Sequence, residues 1–286
     1  MILLTGAAGK TGRAVLRALV ARGQAVRVYL RREEQARDLE KQGAAEAAIG
    51  DLTDPSSLGK AVQGVRAVYH ICPNMHPGEV EIGRLLLDAS RELNVHHFVY
   101  HSVLHPQTEK MPHHWKKMRV EEMIFESGLK FTILQPAPYM QNILASRETI
   151  VTGGIYRVPY PPQTALSLLD LADLGKAAAV VLTESGHENA VYEIAGTAPI
   201  TQHEVASVIG KALGREVKAE EIKLDHWRRG ALKNGLQPYA LETLEKMFLY
   251  YRLYGLSGSP FLLSRLLGDG PGSLSQFAGR EFVQNT

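Results

Sequence analysis

The amino-acid sequence predicts an α/β fold, a doubly wound parallel sheet with a smaller C-terminal α/β lobe. Three observations carry that expectation. Apolar-dense segments alternate with helical patterns as far as Pro136. Most strand-like segments are apolar throughout, the mark of parallel strands covered on both faces. After Pro136 the alternation becomes irregular and aromatic residues become frequent, as in EKMFLYYRLYGLSG (245–258).

The first strand is expected at 2–5 (ILLT). A helix follows at 11–22, where Val15, Leu16, Leu19 and Val20 share one face. Next come a strand at 25–30, a charged helix at 33–42 and a weak strand at 45–50. In DPSSLGKAVQG, Asp54 reads as a helix cap and Pro55 as the first helical residue. Strand 65–71, helix 78–93, strand 96–103, helix 112–127 and strand 130–136 complete the core. The stretch LDLADLGKAAAVVL (169–182) reads as a helix returning to the main sheet. Residues 190–196 and 201–214 read as a strand and a helix of the second lobe. The expected division is a dinucleotide-binding core over 1–150 and a substrate-binding lobe over 151–286, interleaved through the 169–182 helix. The lobe is expected over the carboxyl ends of the strands, where open α/β sheets bind ligands.

Length and composition restrict the function classes. The 286 residues carry a formal charge of +2, without the concentrated basic face that nucleic acid requires. Apolar residues make up 45% and charged residues 22%, ordinary for a globular protein. The single cysteine, Cys72, excludes an internal disulfide and fits a reducing compartment. MILLTGAAG lacks the basic lead of a signal peptide, and no stretch approaches the roughly 20 apolar residues of a membrane helix. A cytoplasmic protein without membrane contact is expected.

The segment GAAGKTG follows the first strand and opens a helix, the context in which a glycine triplet becomes meaningful. Gly6 permits the sharp turn, Gly9 lets backbone approach a pyrophosphate, and Gly12 lets the helix pack close to the strand. Lys10 and Thr11, at the head of the helix, complete this part of the cofactor set. The pattern implies a Rossmann-type dinucleotide site. After the second strand an acidic residue would select NAD and an arginine NADP. This chain reads VYLRREE, which puts Arg31 there and favours NADP(H), although Glu33 and Glu34 follow closely. Asp51, at the end of the third strand, is placed to meet the adenine edge. Alternatively, Asp51 or Asp54 caps the next helix.

Taken together, GAAGKTG, GDLTDPSSL, FVYHSV, the spacing from Lys117 to VEE, FTILQPAPYMQN and YEIAGTAPITQHEVASVIGKALG resemble the NmrA-like family. These proteins are atypical members of the short-chain dehydrogenase/reductase superfamily. The resemblance covers residues 1–214 well and the remainder thinly. It implies a Rossmann core, NADP and a cytosolic protein. The family includes quinone, azo-dye and triphenylmethane-dye reductases, aromatic ether reductases, and regulators that bind dinucleotide without turnover.

Residues 113–118, HHWKKM, carry the remaining chemistry. In the superfamily a tyrosine four residues before a lysine delivers a proton. Here that spacing from Lys117 gives His113, which puts alcohol or sugar chemistry in doubt. Lys117, Val120 and Ile124 fall at i, i+3 and i+7, so Lys117 extends the apolar face, although Lys116 also lies four before Val120. The family match assigns Lys117 to the nicotinamide ribose. The alternative is a surface lysine paired with Glu121. A proton donor and a solvated helix-end residue are both open readings of His113. Ser102 lies near the superfamily's serine position. His96, His97, His101, His105 and His114 crowd the region without a metal-binding motif, so no metal is expected. Tyr139, Met140 and Asn142, with Gln141, follow the sixth strand as substrate-pocket candidates. Trp227, Phe248, Tyr250, Tyr251 and Tyr254 form either an outer wall or core.

Two functions follow. One is an NADPH-dependent reductase of a small, flat, electrophilic aromatic substrate of quinone, azo or triphenylmethane type. The other is a non-catalytic NADP-binding redox sensor with a protein partner. An oligomer is compatible with both.

Overall fold

The computed structural model describes residues 1–284. The first half of the chain runs β1 (Ile2–Leu4), α1 (Lys10–Ala21), β2 (Val26–Leu30), α2 (Ala36–Lys41), β3 (Glu46–Ile49), α3 (Pro55–Val62), β4 (Ala67–His70), α4 (Glu79–Glu92), β5 (His97–His101), α5 (Pro112–Glu126) and β6 (Phe131–Pro136). The second half continues with a 3-10 segment (Met140–Ser146), α6 (Arg147–Gly153), β7 (Ile155–Val158), β8 (Ala165–Leu166), α7 (Leu171–Thr183), β9 (Ala190–Ile194) and β10 (Ile200–Thr201). After these come α8 (Gln202–Leu213), β11 (Lys218–Glu221), α9 (Leu224–Lys233), α10 (Pro238–Tyr254), α11 (Phe261–Leu267) and α12 (Leu274–Ala278). Two compact units result. One comprises 1–109, 113–136 and 171–192, and the other 110–112, 137–170 and 193–286.

The central sheet is Rossmann-type, in the order β3-β2-β1-β4-β5-β6-β9. The ladders from β3 across to β6 are all parallel. The strand order reverses between β1 and β4, and this switch point is where such sheets open a ligand crevice. Leu3, Leu58, Val68, Leu86, Phe98 and Ile133 are fully buried in one cluster between sheet and helices. Each such side chain is worth about 1.5–3 kcal/mol on burial. On α7, Gly175 lets that helix press against α1, because a Cβ there would lie 2.5 Å from the Ala14 carbonyl oxygen.

Asp54 caps α3 by accepting from Ser56 N and Ser57 N, both at 3.1 Å, with Pro55 at the first helical position. The expected charged helix at 33–42 is broken. Residues Glu33–Gln35 form a 3-10 turn ahead of α2. No side chain caps that turn, so its first amides are met by tighter i→i+3 bonding such as Gln35 N to Arg32 O at 3.2 Å.

The second unit holds two small sheets, β7 with β11 in parallel and β8 with β10 antiparallel. A capping box between Thr201 and Glu204 starts α8. Among the described residues no helix is long and apolar enough to cross a membrane.

Candidate cofactor and active site

The loop between β1 and α1 is shaped by its own backbone. Gly6 has φ +64°, and a Cβ there would stand 2.9 Å from Ile71. Both the conformation and the space demand glycine. A Cβ on Gly12 would lie 2.3 Å from the Gly6 carbonyl oxygen and 2.5 Å from Ala7 Cα. Gly12 therefore lets the helix close on its own loop, rather than on the strand as the sequence suggested. Gly9 differs from both. It is exposed, its φ is −77°, and a Cβ would meet only the Gly6 oxygen at 3.4 Å. No side chain caps α1 and no acidic residue sits in its first turn. Free amides and the positive helix end thus face outward beside exposed Gly9 and Lys10 and half-buried Thr11. These features fit a pyrophosphate. Arg13 braces the loop from behind, through Nε to Ala8 O at 3.1 Å and an ion pair to Asp38 at 2.5 Å.

Arg31 directly follows β2. It is exposed and makes no hydrogen bond or ion pair with a described residue, whereas Arg32 lies 3.6 Å from Glu34. The Asp51 carboxylate folds onto its own turn and accepts from Thr53 Oγ1 at 2.6 Å and Thr53 N at 2.9 Å. These bonds hold Asp51 below the usual carboxylate range, with smaller help from the charges of Arg31 and His76. The helix cap belongs to Asp54, not to Asp51.

Lys117 is half-buried on α5. Its Nζ lies 2.9 Å from Glu79 Oε1 and 3.1 Å from the His101 carbonyl oxygen, and 5.2 Å from the centre of the Tyr100 ring. The Tyr100 hydroxyl donates to the same Glu79 oxygen at 2.7 Å. Burial pushes the Glu79 carboxyl up, but the Lys117 ammonium and the Tyr100 hydroxyl outweigh it and leave the group below its ordinary value. The expected alternative pairing with Glu121 does not occur. Glu121 is buried, accepts from the Ser102 hydroxyl, and takes Gln135 Nε2 on its two oxygens at 3.0 and 2.9 Å. Burial raises its pKa. Ser102 is itself buried and committed to that carboxyl. Lys116 turns to the Pro77 carbonyl at 2.7 Å.

His113 is half-buried on the first turn of α5. Its Nδ1 is shut away from solvent without a hydrogen-bond partner, and burial, followed by the charges of His114 and Lys117, pushes its pKa down to about 2. Further buried histidines line the carboxyl edge. His70 Nδ1 meets Thr5 Oγ1 at 2.9 Å, and His101 Nδ1 meets the Tyr69 hydroxyl at 3.0 Å. Among the described residues no group of three or more His, Cys, Asp or Glu is placed to hold a metal ion. Cys72 is buried, and that burial pushes its thiol well up, away from reactivity.

Tyr139, Met140 and Asn142 lie in the second unit, on entry to the 3-10 segment. Met140 is fully buried, so the accessible members are half-buried Tyr139 and exposed Asn142. Their neighbour Gln141 donates to Asp170 at 2.8 Å, and Arg280 pairs with the other Asp170 oxygen at 2.7 Å. Trp227 stacks edge-on against Phe248 with centres 4.8 Å apart, and Tyr160 packs on Phe248 and Tyr251. These aromatic residues fill space against each other.

Sequence reasoning missed Glu79, Tyr100, Glu121 as the partner of Ser102, and Asp170. Glu79 lies 38 positions from Lys117, and nothing in the local pattern of either helix couples them. The usable signal was Gly83, a glycine inside an otherwise good helix, which marks a close approach.

The profile of the NmrA-like family matches residues 1–268. An NAD(P)H azoreductase of Xenophilus azovorans is 27% identical over 280 residues, covering 97% of this chain and 96% of its own. Quinone oxidoreductase 2 of Escherichia coli is 26% identical over 100% of both chains. The crystal structure of an Escherichia coli NADPH-dependent quinone oxidoreductase complexed with NADPH matches with a TM-score of 0.86 at 26% identity, over 99% of this chain and 100% of that one. The parallel sheet, the open glycine loop and a match spanning nearly the whole chain agree: the protein belongs to the NmrA-like family.

Proposed function

We propose that this protein is an NADP(H)-dependent oxidoreductase that reduces a small electrophilic aromatic acceptor of quinone, azo or triphenylmethane type by hydride transfer. The observation that carries the choice of acceptor is His113. It occupies the position of the superfamily's proton-donating tyrosine, its Nδ1 is closed off from solvent, and burial pushes its pKa down.

The chain's residues fit the cofactor. Gly6, Gly9, Lys10, Thr11 and Gly12 would hold the pyrophosphate and Arg31 the 2′-phosphate. Asp51 would meet the adenine edge and Lys117 the nicotinamide ribose. The exposed guanidinium of Arg31, without a hydrogen bond or ion pair among the described residues, is the feature that supports NADP(H) over NAD(H). When bound, the reduced nicotinamide supplies the hydride.

A site without a strong acid suits acceptors whose reduced form needs none in the transition state. A quinone that gains hydride becomes a delocalised phenolate, a hydroxyazo dye in its quinone-hydrazone form gives a similarly delocalised anion, and a triphenylmethane cation is neutralised outright. A simple ketone would leave a localised alkoxide and needs a positioned donor. Rate enhancement then comes chiefly from holding donor and acceptor together. Tyr139 and Asn142 are the accessible candidates for contact with the acceptor. A single buried thiol and dependence on NADPH suit the cytoplasm.

The test is NADPH oxidation, followed by absorbance, against panels of quinones, azo dyes, triphenylmethane dyes and simple ketones. Turnover confined to the first three groups is expected. Tight NADPH binding with no turnover of any acceptor would identify a redox sensor instead.

A further inference from the structure

The two kinds of cation in this unit are treated in opposite ways. Arg31 is exposed and unpaired among the described residues, ready for an anion. Lys117 is already ion-paired within the protein. Its side chain is 14% exposed and that of Glu79 only 6%, with Nζ and Oε1 2.9 Å apart. Stability alone gives no reason for such a pair, because a buried ion pair is often matched or surpassed by apolar residues of the same volume. What the pair provides is geometry. An ammonium carries three N–H donors. Glu79 and the His101 carbonyl take two, and the Tyr100 ring walls the ammonium on another side. One donor with a fixed direction and little net charge remains.

We propose that Glu79 is the positioning residue of the dinucleotide site. It fixes the Lys117 ammonium and cancels its charge, so that the remaining N–H addresses an uncharged hydroxyl of the nicotinamide ribose rather than a phosphate. The proposal rests on the reading of Lys117 as the ribose-binding lysine. The helices themselves supply the alignment. Gly83 of α4 packs against Val120 of α5, with a Cβ on Gly83 only 2.9 Å from Val120 Cγ1. Glu79 lies one turn before Gly83 and Lys117 one turn before Val120, so the close approach sets the two side chains face to face. Tyr100 adds a second hold on the carboxylate from the sheet.

The test is a calorimetric comparison of two ligands, NADPH and 2′,5′-ADP, which lacks the nicotinamide ribose. The proteins are wild type, Glu79→Gln, Glu79→Asp, Lys117→Met and the double variant Glu79→Gln/Lys117→Met. Each Glu79 variant should weaken NADPH by about tenfold, the loss of one charge-assisted hydrogen bond. Affinity for 2′,5′-ADP should stay within about twofold, the error of independent sites. The double variant should bind NADPH no more weakly than Lys117→Met alone, because Glu79 acts only through Lys117. Equal losses for both ligands, additive losses in the double variant, or unchanged NADPH affinity in Glu79→Gln would each overturn the proposal. If Glu79→Gln fails to fold with Lys117 left unpaired, Glu79→Asp and the double variant still decide. Wild type that binds neither ligand would remove the cofactor reading and this proposal together. Wild type that binds both, with Glu79→Asp silent, would remove the proposal alone.

Discussion

Gly83 in α4 and Val120 in α5 touch so closely that no side chain fits between them. A Cβ on Gly83 would stand 2.9 Å from Val120 Cγ1 and 3.0 Å from Cγ2. Glycine in a helix costs about 1 kcal/mol relative to alanine, and overpacking costs about 1–3 kcal/mol. The helix gain and the packing loss therefore nearly cancel for alanine and fail to cancel for a larger residue. Gly83→Leu should destabilise the protein by about 2–3 kcal/mol in urea unfolding. A stability within experimental error of wild type would show that α4 and α5 adjust without strain.

The glycine loop separates binding from folding. Gly9 has room for a side chain within the protein, and Gly12 has none. Gly9→Val should keep a wild-type thermal midpoint and lose dinucleotide binding, because the side chain enters ligand space. Gly12→Val should lower both stability and binding, since its Cβ would overlap the Gly6 carbonyl. Unchanged NADPH affinity in folded Gly9→Val would place the phosphates elsewhere.

Arg31 makes no hydrogen bond or ion pair with a described residue, so its removal should be felt chiefly by a 2′-phosphate. Arg31→Ala should weaken NADPH by about 10- to 150-fold, equivalent to about 1.5–3 kcal/mol, and leave NADH nearly unchanged. Because the guanidinium is exposed, the preference should narrow as salt rises. Parallel losses for NADPH and NADH would assign Arg31 to packing instead.

His113 and its neighbours govern the response to pH. Burial holds His113 near about 2, so the reduction rate should show no inflection near pH 6.5, and His113→Ala should slow quinone reduction by less than about tenfold. A hundredfold loss would make it the acid. Stability behaves differently. Burial lowers His70 and His114 to about 4 and His101 to about 3. In the unfolded chain these side chains bind protons below about pH 6.5. Folded and unfolded states bind equally few protons above that pH, and the unfolded state binds more below it. The stability is thus complete above about pH 6.5 and is lost as pH falls toward the folded values, by roughly 1–2 kcal/mol per histidine at pH 5. Thermal midpoints measured from pH 7.5 to 4.5 should fall accordingly, and a flat profile would show that the histidines are solvated.

Local signals were legible wherever one short segment carries the physics. The alternation of strands and helices, the glycine turn, the Asp54-Pro55 helix start and the arginine after β2 are each set by neighbours in the chain. The sequence by itself thus determined the Rossmann-type core, the family and the glycine turn between β1 and α1. The role of Gly12 was misplaced because its closest contact is a loop backbone whose path a pattern does not describe.

The tertiary structure decided which polar groups are spoken for. Lys117 could pair along its own helix with Glu121, and only the packing of α4 on α5 gives it to Glu79, while Ser102 and Gln135 claim Glu121. His113 reads in sequence as either a proton donor or a wet helix end, and the closing of its Nδ1 from solvent is a property of the whole fold. Partner choice and desolvation depend on atoms brought together from distant parts of the chain. Spacing along one helix or strand can propose such groups, but only the assembled sheet and helices determine which of them remain available for chemistry.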